Sequence, residues 1–335
     1  MIAVRTADDL PEIRSGQGVH DHDSQRWPAP AGAAVILLTI WPLFALICLG
    51  FGLARAGFPS REFWPAAERI NYMVLFPALL FSSLATAPVR DAGMLRLGGA
   101  AVATLLVAAL ALMLARRVWP SPARRFGPAL QGVVRFNTYL GFAVVTALAG
   151  PEGLSRAAVY LAIAVPLVNV LSILALTERG GATGLRLLGA VLRNPLILAC
   201  LGGIAMAFSG LGLPFGSDAL LRLMAQASLP LGLLCVGAAL QPATLRQDLR
   251  AVAATSVLRL LVMPALALGV APLFGLSAAE TMILVIFSAL PVAPTAYVLT
   301  RQLGGDGPFM AAIITGQTFL AALTLPLVLS VLERM

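Results

Sequence analysis

Long apolar runs separated by short polar links fill the chain after a polar stretch of about thirty residues. Most runs reach the length of about 20 residues that a helix needs to cross a hydrocarbon layer ~30 Å thick. The pattern therefore predicts an all-α integral membrane protein with ten transmembrane helices. The ten runs cover approximately residues 32–56, 64–86, 95–117, 127–149, 155–177, 188–211, 218–240, 249–274, 278–302 and 308–332.

Composition supports this interpretation and excludes several functions. Of the 335 residues, 59% are hydrophobic and 11% are charged, whereas soluble domains carry about 25% charged residues. The net charge of +8 does not indicate a nucleic-acid partner, because the basic residues lie between apolar runs, and the lipid bilayer is the expected surrounding. All 23 basic residues are arginine, which excludes a Schiff-base lysine. Both histidines, His20 and His22, precede the first run, so the membrane part has no histidine for catalysis or proton relay.

The distribution of arginines predicts the orientation of the chain. Thirteen arginines lie in the odd-numbered links between runs, and five lie in the even-numbered links and the C-terminal end. Cytoplasmic links carry the excess of arginine and lysine in membrane proteins. We therefore expect the odd links to face the cytoplasm, both termini to lie outside it, and the protein to span the cell (inner) membrane several times.

A repeat divides the membrane part into two halves. At an offset of 153 residues, Pro42 aligns with Pro195 and Pro77 aligns with Pro230, and the matches place the first run on the sixth and the fourth on the ninth. Because each half has an odd number of spans, the second copy must be inverted, as in many secondary transporters. The expected organisation is a disordered polar tail (1–31), a first five-helix repeat (32–177), a cytoplasmic connector (178–193) and a second five-helix repeat (194–335).

The ninth run contains two prolines in its middle, Pro291 and Pro294. A proline in a helix interior removes a backbone donor and clashes with the preceding turn. Within a membrane, such an interruption is tolerated where the backbone lines a cavity or is buried in protein. The run is therefore predicted to be a broken helix, with Thr295 at the start of its second half.

The repeat maps this interruption onto the fourth run, where Asn137, Thr138 and Gly141 weaken the helix without a proline. We expect the two broken helices to cross near the bilayer centre and to present half-helix N-termini to a bound anion. The predicted substrate-binding residues are Asn137, Thr138, Gly141, Pro291, Pro294 and Thr295. Two other polar side chains in the spans, Asn169 and Gln317, are interpreted as contacts between helices.

Several short motifs lie at the positions singled out above. They are Arg-Phe-Asn-Thr at 135–138, Val-Leu-Arg-Asn-Pro at 191–195, Leu-Pro-Leu-Gly-Leu-Leu at 229–234, Pro-Val-Ala-Pro-Thr-Ala-Tyr at 291–297 and Gly-Gly-Asp at 304–306. In combination they resemble the auxin efflux carrier family, which includes plant auxin exporters and bacterial carriers, and the resemblance extends over about residues 35–333.

The resemblance implies two inverted five-helix repeats with helices four and nine crossing, and a scaffold through which a homodimer forms. It also implies alternating-access export of a small organic anion, such as malate, malonate or an auxin-like acid, with no cofactor or metal and no enzymatic activity. Two positions depart from the family pattern. Ala143 replaces a frequent proline, and Thr295 replaces a frequent asparagine, so the identity of the cargo is left open.

Charged residues in the spans leave alternatives open. Arg135 and Arg259 lie inside predicted helices, where an arginine is a functional candidate by default. Arg259 either binds a carboxylate or extends to the headgroups. No carboxylate lies in the middle of a span, which favours transport without a dedicated sodium or proton site. A sodium-coupled bile-acid-type symporter is the main alternative, and an intramembrane enzyme and a non-transporting receptor are others.

Overall fold

Helices make up the regular structure of the described part of the chain, and no strand occurs there. The structure is a computed structural model that describes residues 33–86, 92–177, 189, 194–213 and 216–335. Within these residues, six helical stretches are long and apolar enough to cross a membrane. The predicted all-α membrane architecture is confirmed at this level. The expected tail, with His20 and His22, and all of the expected connector except Gly189 lie outside the described residues.

We number the α-helices of the described residues in chain order. They are α1 (Ala33–Arg55), α2 (Phe63–Ile70), α3 (Phe76–Ala85), α4 (Ala92–Val118), α5 (Ala123–Val134), α6 (Thr138–Leu176), α7 (Pro195–Ser209), α8 (Ser217–Ala238), α9 (Leu249–Val257), α10 (Met263–Val270), α11 (Ala278–Ala289), α12 (Thr295–Gln302) and α13 (Gly307–Leu332).

Two of the predicted runs, the fourth and the fifth, are joined without a loop inside α6. The helical path is interrupted only at Gly150, whose φ of 58° and ψ of −153° lie outside the helical region. Glycine adopts this conformation because it has no Cβ, and Pro151 follows at a position that suits the start of a new helix. Residues 138–149 therefore correspond to the second half of the fourth run, whose first half lies in α5, and residues 151–176 correspond to the fifth.

The helices pack as two sets. In the first, which we call the scaffold set, α1 packs most extensively on α8, and α3 packs on α7 and α8. In the second, the core set, α6 packs on α4, α5 and α11, and α13 packs on α5, α9 and α11. The inverted relation between the two halves of the sequence stays a prediction.

Two helical stretches contain a π-helical turn shortly before a proline. The turns Asn71–Leu75 and Leu258–Val262 each end two residues before a proline, Pro77 and Pro264. A wider turn accommodates the missing N–H of the proline and the bulk of its ring. Each turn also contains one polar residue whose side chain has no exposed surface. These residues are Asn71 in the first turn and Arg259 in the second.

An ion-pair cluster connects the N-terminal ends of three core helices. The Arg125 guanidinium contacts both carboxylate oxygens of Asp248 at 2.7 and 2.9 Å and one oxygen of Asp306 at 3.3 Å. The hydrogen bond from Arg125 holds the pKa of Asp248 below its usual value. These residues begin α5, α9 and α13, which follow the third, seventh and ninth links. The three links therefore lie on one side of the molecule.

Candidate functional site

The chain leaves the helical conformation at both predicted interruptions, and the two interruptions touch. Between α5 and α6, Arg135 and Asn137 are extended. Between α11 and α12, residues 291–293 form no regular structure, and Pro294 immediately precedes α12. The backbone N–H of Asn137 donates a hydrogen bond of 2.8 Å to the carbonyl of Pro291. This contact joins stretches that are 154 positions apart, and we call it the crossover.

Backbone groups released at the crossover are satisfied by two amide side chains. The Oδ1 of Asn137 accepts from the N–H of Leu140 at 3.2 Å and so caps α6. The Oε1 of Gln317 accepts from the N–H of Val292 at 2.9 Å, and its Nε2 donates to the carbonyl of Gly132 at 2.8 Å. Gln317 therefore contacts both interruptions at once, which confirms its expected role as a contact between helices.

A cavity reaches the crossover from the side of α2 and α12. Its inner end has a volume of about 40 Å³, and a wider outer chamber has a volume of about 440 Å³. Four residues line both parts, so the inner end continues the chamber: Tyr72, Arg135, Asn169 and Thr295. The outer chamber falls within the ~300–1,000 Å³ of typical ligand pockets.

Two nitrogen atoms of residues at the inner end have no hydrogen-bond partner among the described residues. They are the Nδ2 of Asn137 and the Nη1 of Arg135. Asn137 is only 1% exposed. Buried polar groups are nearly always hydrogen-bonded, and leaving one unpaired costs about 1–3 kcal/mol. Both nitrogens belong to residues that line the inner end, so they are the candidate donors to a molecule that enters the cavity.

Helix ends add positive potential at the same place. α6 begins at Thr138 and α12 begins at Thr295, and both residues line the inner end. Each helix N-terminus carries an effective charge of about +0.5. Two such ends beside the Arg135 guanidinium make the inner end of the cavity suited to an anion.

The predicted site residues do not all reach the cavity. Asn137, Thr138, Pro294 and Thr295 line its inner end. Pro291 contributes the carbonyl that joins the two interruptions. Gly141 packs against α11, where an added Cβ would lie 2.5 Å from the Phe287 ring and 2.7 Å from Leu290.

Three residues that line both parts of the cavity are not among the substrate-binding residues predicted from the sequence. Tyr72 and Arg135 were outside the predicted set, and Asn169 was interpreted as a contact between helices, whereas it lies on the cavity wall. A signal existed for Arg135, because a charge within a span indicates a functional position. The sequence carries no corresponding signal for Tyr72, since a single aromatic residue in a span is usually packed.

Arg259 lies on the side of the crossover away from the cavity. This position agrees neither with binding a carboxylate in the cavity nor with extending to the headgroups. Its side chain has no exposed surface, so it does not extend to the headgroups. Its guanidinium donates to the carbonyls of Leu290 at 2.6 Å and Val133 at 2.9 Å, and also to the carbonyl of Phe287. No residue lining the cavity is among these hydrogen-bond partners.

Carboxylates are present near the ends of spans in the described residues, as the sequence indicates. Glu280 is 3% exposed, but it forms a capping box with Ser277 at the start of α11. Glu68 lies in α2 and lines the outer chamber, away from the inner end. The crossover itself is therefore surrounded by amides, hydroxyls and arginines.

Comparison with known proteins agrees with this architecture. A family model described as a membrane transport protein matches residues 184–329. An uncharacterized transporter of Methanothermobacter thermautotrophicus is 27% identical over 292 residues, which cover 86% of this chain and 96% of that protein. Together with the apolar helices of the described residues, these matches indicate a membrane transporter.

Proposed function

We propose that the protein is a secondary-active carrier that exports a small organic anion, a carboxylate such as malate or malonate or an auxin-like acid, by alternating access. The observation that carries this proposal is the inner end of the cavity. There, beside the N-termini of α6 and α12, the Nδ2 of Asn137 and the Nη1 of Arg135 have no hydrogen-bond partner in the described part of the chain. A carboxylate would accept hydrogen bonds from these groups and would offset their positive potential.

The position of the cavity favours loading from the cytoplasm. The outer chamber is lined by Arg69, which precedes α3, by Asn194, which precedes α7, and by Gln302, which ends α12. These residues adjoin the first, fifth and ninth links, which the arginine distribution assigns to the cytoplasm. In that orientation both termini lie outside the cytoplasm. A membrane potential that is negative inside then favours anion export by ~2.3 kcal/mol per charge per 100 mV.

Alternating access in this proposal is a movement of the core set against the scaffold set. The cavity is lined from both sets. On one side is α2, which packs on α8 of the scaffold set. On the other are Asn169 of α6, Arg135 at the end of α5, and Thr295 of α12, which packs on α5 and α13 of the core set. A displacement of the core set would carry the crossover toward the other membrane face. Ten spans arranged as two inverted five-helix repeats, with a homodimer formed through the scaffold helices, complete the proposed architecture.

Binding can be tested by a thermal-shift screen of small mono- and dicarboxylates on the purified protein. We expect at least one acid to raise the melting temperature, because a ligand that binds only the folded state stabilises it. The Asn137→Asp variant keeps the oxygen that caps α6 but replaces the free donor with a carboxylate, so its response should be lost. Asn194→Asp is the matched control, since Asn194 caps α7 in the same way but lies away from the inner end.

Two results would contradict this site. One is an Asn137→Asp variant that responds to every ligand as the parent does. The other is equal loss of response in both aspartate variants, which would indicate a general effect of negative charge in the cavity. Counterflow of the labelled acid in proteoliposomes then separates a carrier from a receptor, because a receptor binds the acid without exchanging it across the membrane.

A further inference from the structure

The carbonyls that bind Arg259 come from the C-terminal ends of the two half-helices. Val133 lies in the last turn of α5, Phe287 lies in the last turn of α11, and Leu290 follows α11 directly. The last carbonyls of a helix lack intrahelical partners. The crossover therefore has two faces of opposite polarity, with N-termini toward the cavity and C-termini toward Arg259.

On the face of the crossover toward Arg259, the negative charge of the helix C-termini and the positive charge of the guanidinium balance. Each helix C-terminus carries an effective charge of about −0.5, so two converging ends provide about one negative charge. The guanidinium of Arg259 supplies one positive charge, and its three hydrogen-bond partners are main-chain carbonyls rather than carboxylates. The ring of Phe136 lies 6.0 Å from the guanidinium carbon and closes part of the remaining space.

The fold holds Arg259 at this place through the π-helical turn Leu258–Val262. This turn precedes Pro264 and adds a residue to the helical turn, which changes the direction of the side chains relative to a regular helix. The side chain of Arg259 consequently lies fully inside the core set. Ligand and ion sites are frequently found at such turns.

In transporters with broken helices, carbonyls at half-helix C-termini coordinate the coupling cation. We propose that Arg259 is a covalently tethered substitute for that cation, so that anion transport here requires no inorganic cation. The proposal rests on the proposed carrier function. It also predicts that removal of the guanidinium leaves a carbonyl-lined site that accepts a small monovalent cation such as sodium.

The test compares melting temperatures in equal concentrations of sodium chloride and choline chloride, without any organic acid. The wild type should melt at the same temperature in both salts. Arg259→Ala should be less stable in choline, and sodium should raise its melting temperature by about 3 °C or more. Arg222→Ala is the matched control, because it removes an arginine that is exposed and paired with Asp218. It should show no preference for sodium.

Arg259→Lys is the second variant, in case Arg259→Ala does not fold. An ammonium group keeps the charge but forms fewer of the three hydrogen bonds in this geometry. The lysine variant should therefore fold with lowered stability and remain indifferent to sodium. Sodium-dependent stability of the wild type or of the lysine variant would overturn the proposal. A folded Arg259→Ala variant that is indifferent to sodium, lithium and potassium would also overturn it.

The sodium test of Arg259→Ala and the carboxylate-binding test of the proposed function can fail independently of each other. Sodium-stabilised Arg259→Ala in a protein that binds no carboxylate would reject the anion site and keep the tethered cation. Carboxylate binding at Asn137, together with a sodium-indifferent Arg259→Ala variant, would reject the tethered cation alone. A purely structural arginine would lower stability on removal without creating any preference between cations.

Discussion

Two arginines flank the crossover, and their hydrogen bonds distinguish their roles. Arg259 donates to three carbonyls and has no exposed surface. Arg135 lines both parts of the cavity, and its Nη1 is buried and has no hydrogen-bond partner among the residues that the structure describes. Removing a buried charge that is hydrogen-bonded leaves its partners unsatisfied and lowers stability, whereas an unpaired donor costs free energy until a ligand binds. Opposite effects of substitution on stability are therefore expected.

For Arg135→Gln, we expect the affinity for the transported acid to fall by about 10- to 100-fold. The loss corresponds to a charge-assisted hydrogen bond of about 1.5–3 kcal/mol. The melting temperature of the unliganded variant should be equal to or higher than that of the wild type, because an unpaired buried donor is removed. Calorimetric titration and thermal unfolding measure the two quantities.

The control for this prediction is Arg69→Gln. Arg69 lines only the outer chamber and is exposed, so the change in affinity should stay within about threefold. A variant Arg135→Gln with wild-type affinity would contradict the assignment of Arg135 to the anion site. A loss of stability in Arg135→Gln comparable to that of Arg259→Ala would also contradict this assignment.

At the scale of elements, the scaffold set depends on a close approach of α1 and α8. A Cβ added at Gly50 would lie 2.1 Å from the carbonyl oxygen of Leu234, and one added at Gly237 would lie 1.8 Å from that of Ile47. Small residues at such interfaces let helix backbones touch, which gives the van der Waals contact that drives association in lipid. Because the contacts are with backbone atoms, a side-chain rotation cannot relieve the clash.

Gly50→Ala should therefore lower the stability of the purified protein by about 1–3 kcal/mol, the typical cost of overpacking a tight contact. Gly52→Ala is a matched control on the same helix, because nothing lies within 4 Å of an added Cβ there. That control should be neutral or stabilising by up to about 1 kcal/mol, since alanine favours the helix over glycine. Equal effects of both substitutions on thermal unfolding would show that α1 and α8 do not approach each other this closely.

At the scale of the whole molecule, the ion-pair cluster of Arg125 agrees with the orientation inferred from the arginines. The cluster brings the third, seventh and ninth links to one side. All three are odd-numbered, and together they hold seven of the thirteen arginines of the odd links, which are expected to be cytoplasmic. The cavity opens beside residues of the first, fifth and ninth links, which the same assignment places on that side. The orientation therefore decides from which compartment the proposed carrier loads its anion.

Labelling of single cysteines tests this orientation. In a background in which Cys48, Cys200 and Cys235 are replaced by alanine, we expect Trp119→Cys to react with a membrane-impermeant maleimide in inside-out vesicles. Leu211→Cys should react in right-side-out vesicles. Trp119 lies in the third link and is 74% exposed, and Leu211 lies after the end of α7, at the border of the sixth link, and is 82% exposed. Reaction of both from one side, or the reverse pattern, would contradict the assignment.

Local properties of short stretches were enough to predict the interruptions at the crossover. Pro291 and Pro294 remove backbone donors wherever they stand in a helix, and Asn137 favours a helix start because its side chain replaces a missing backbone partner. The sequence therefore predicted both breaks and four of the residues that line the inner end of the cavity. It did not predict that Gly141 packs against α11, because packing depends on which surfaces meet.

The sequence by itself determined that this chain is a helical membrane protein with broken helices, because run length, apolar composition and helix-breaking residues act over a few turns of backbone. Only the tertiary structure decided the partners of its buried polar groups. Arg259 contacts the carbonyl of Val133 across 126 positions of sequence, and Asn169 lies on the cavity wall only because α6 packs beside α7 and lines the same chamber as α12. The partner of a buried charge is decided by how distant segments fold together, and no local pattern around Arg259 or Asn169 contains that information.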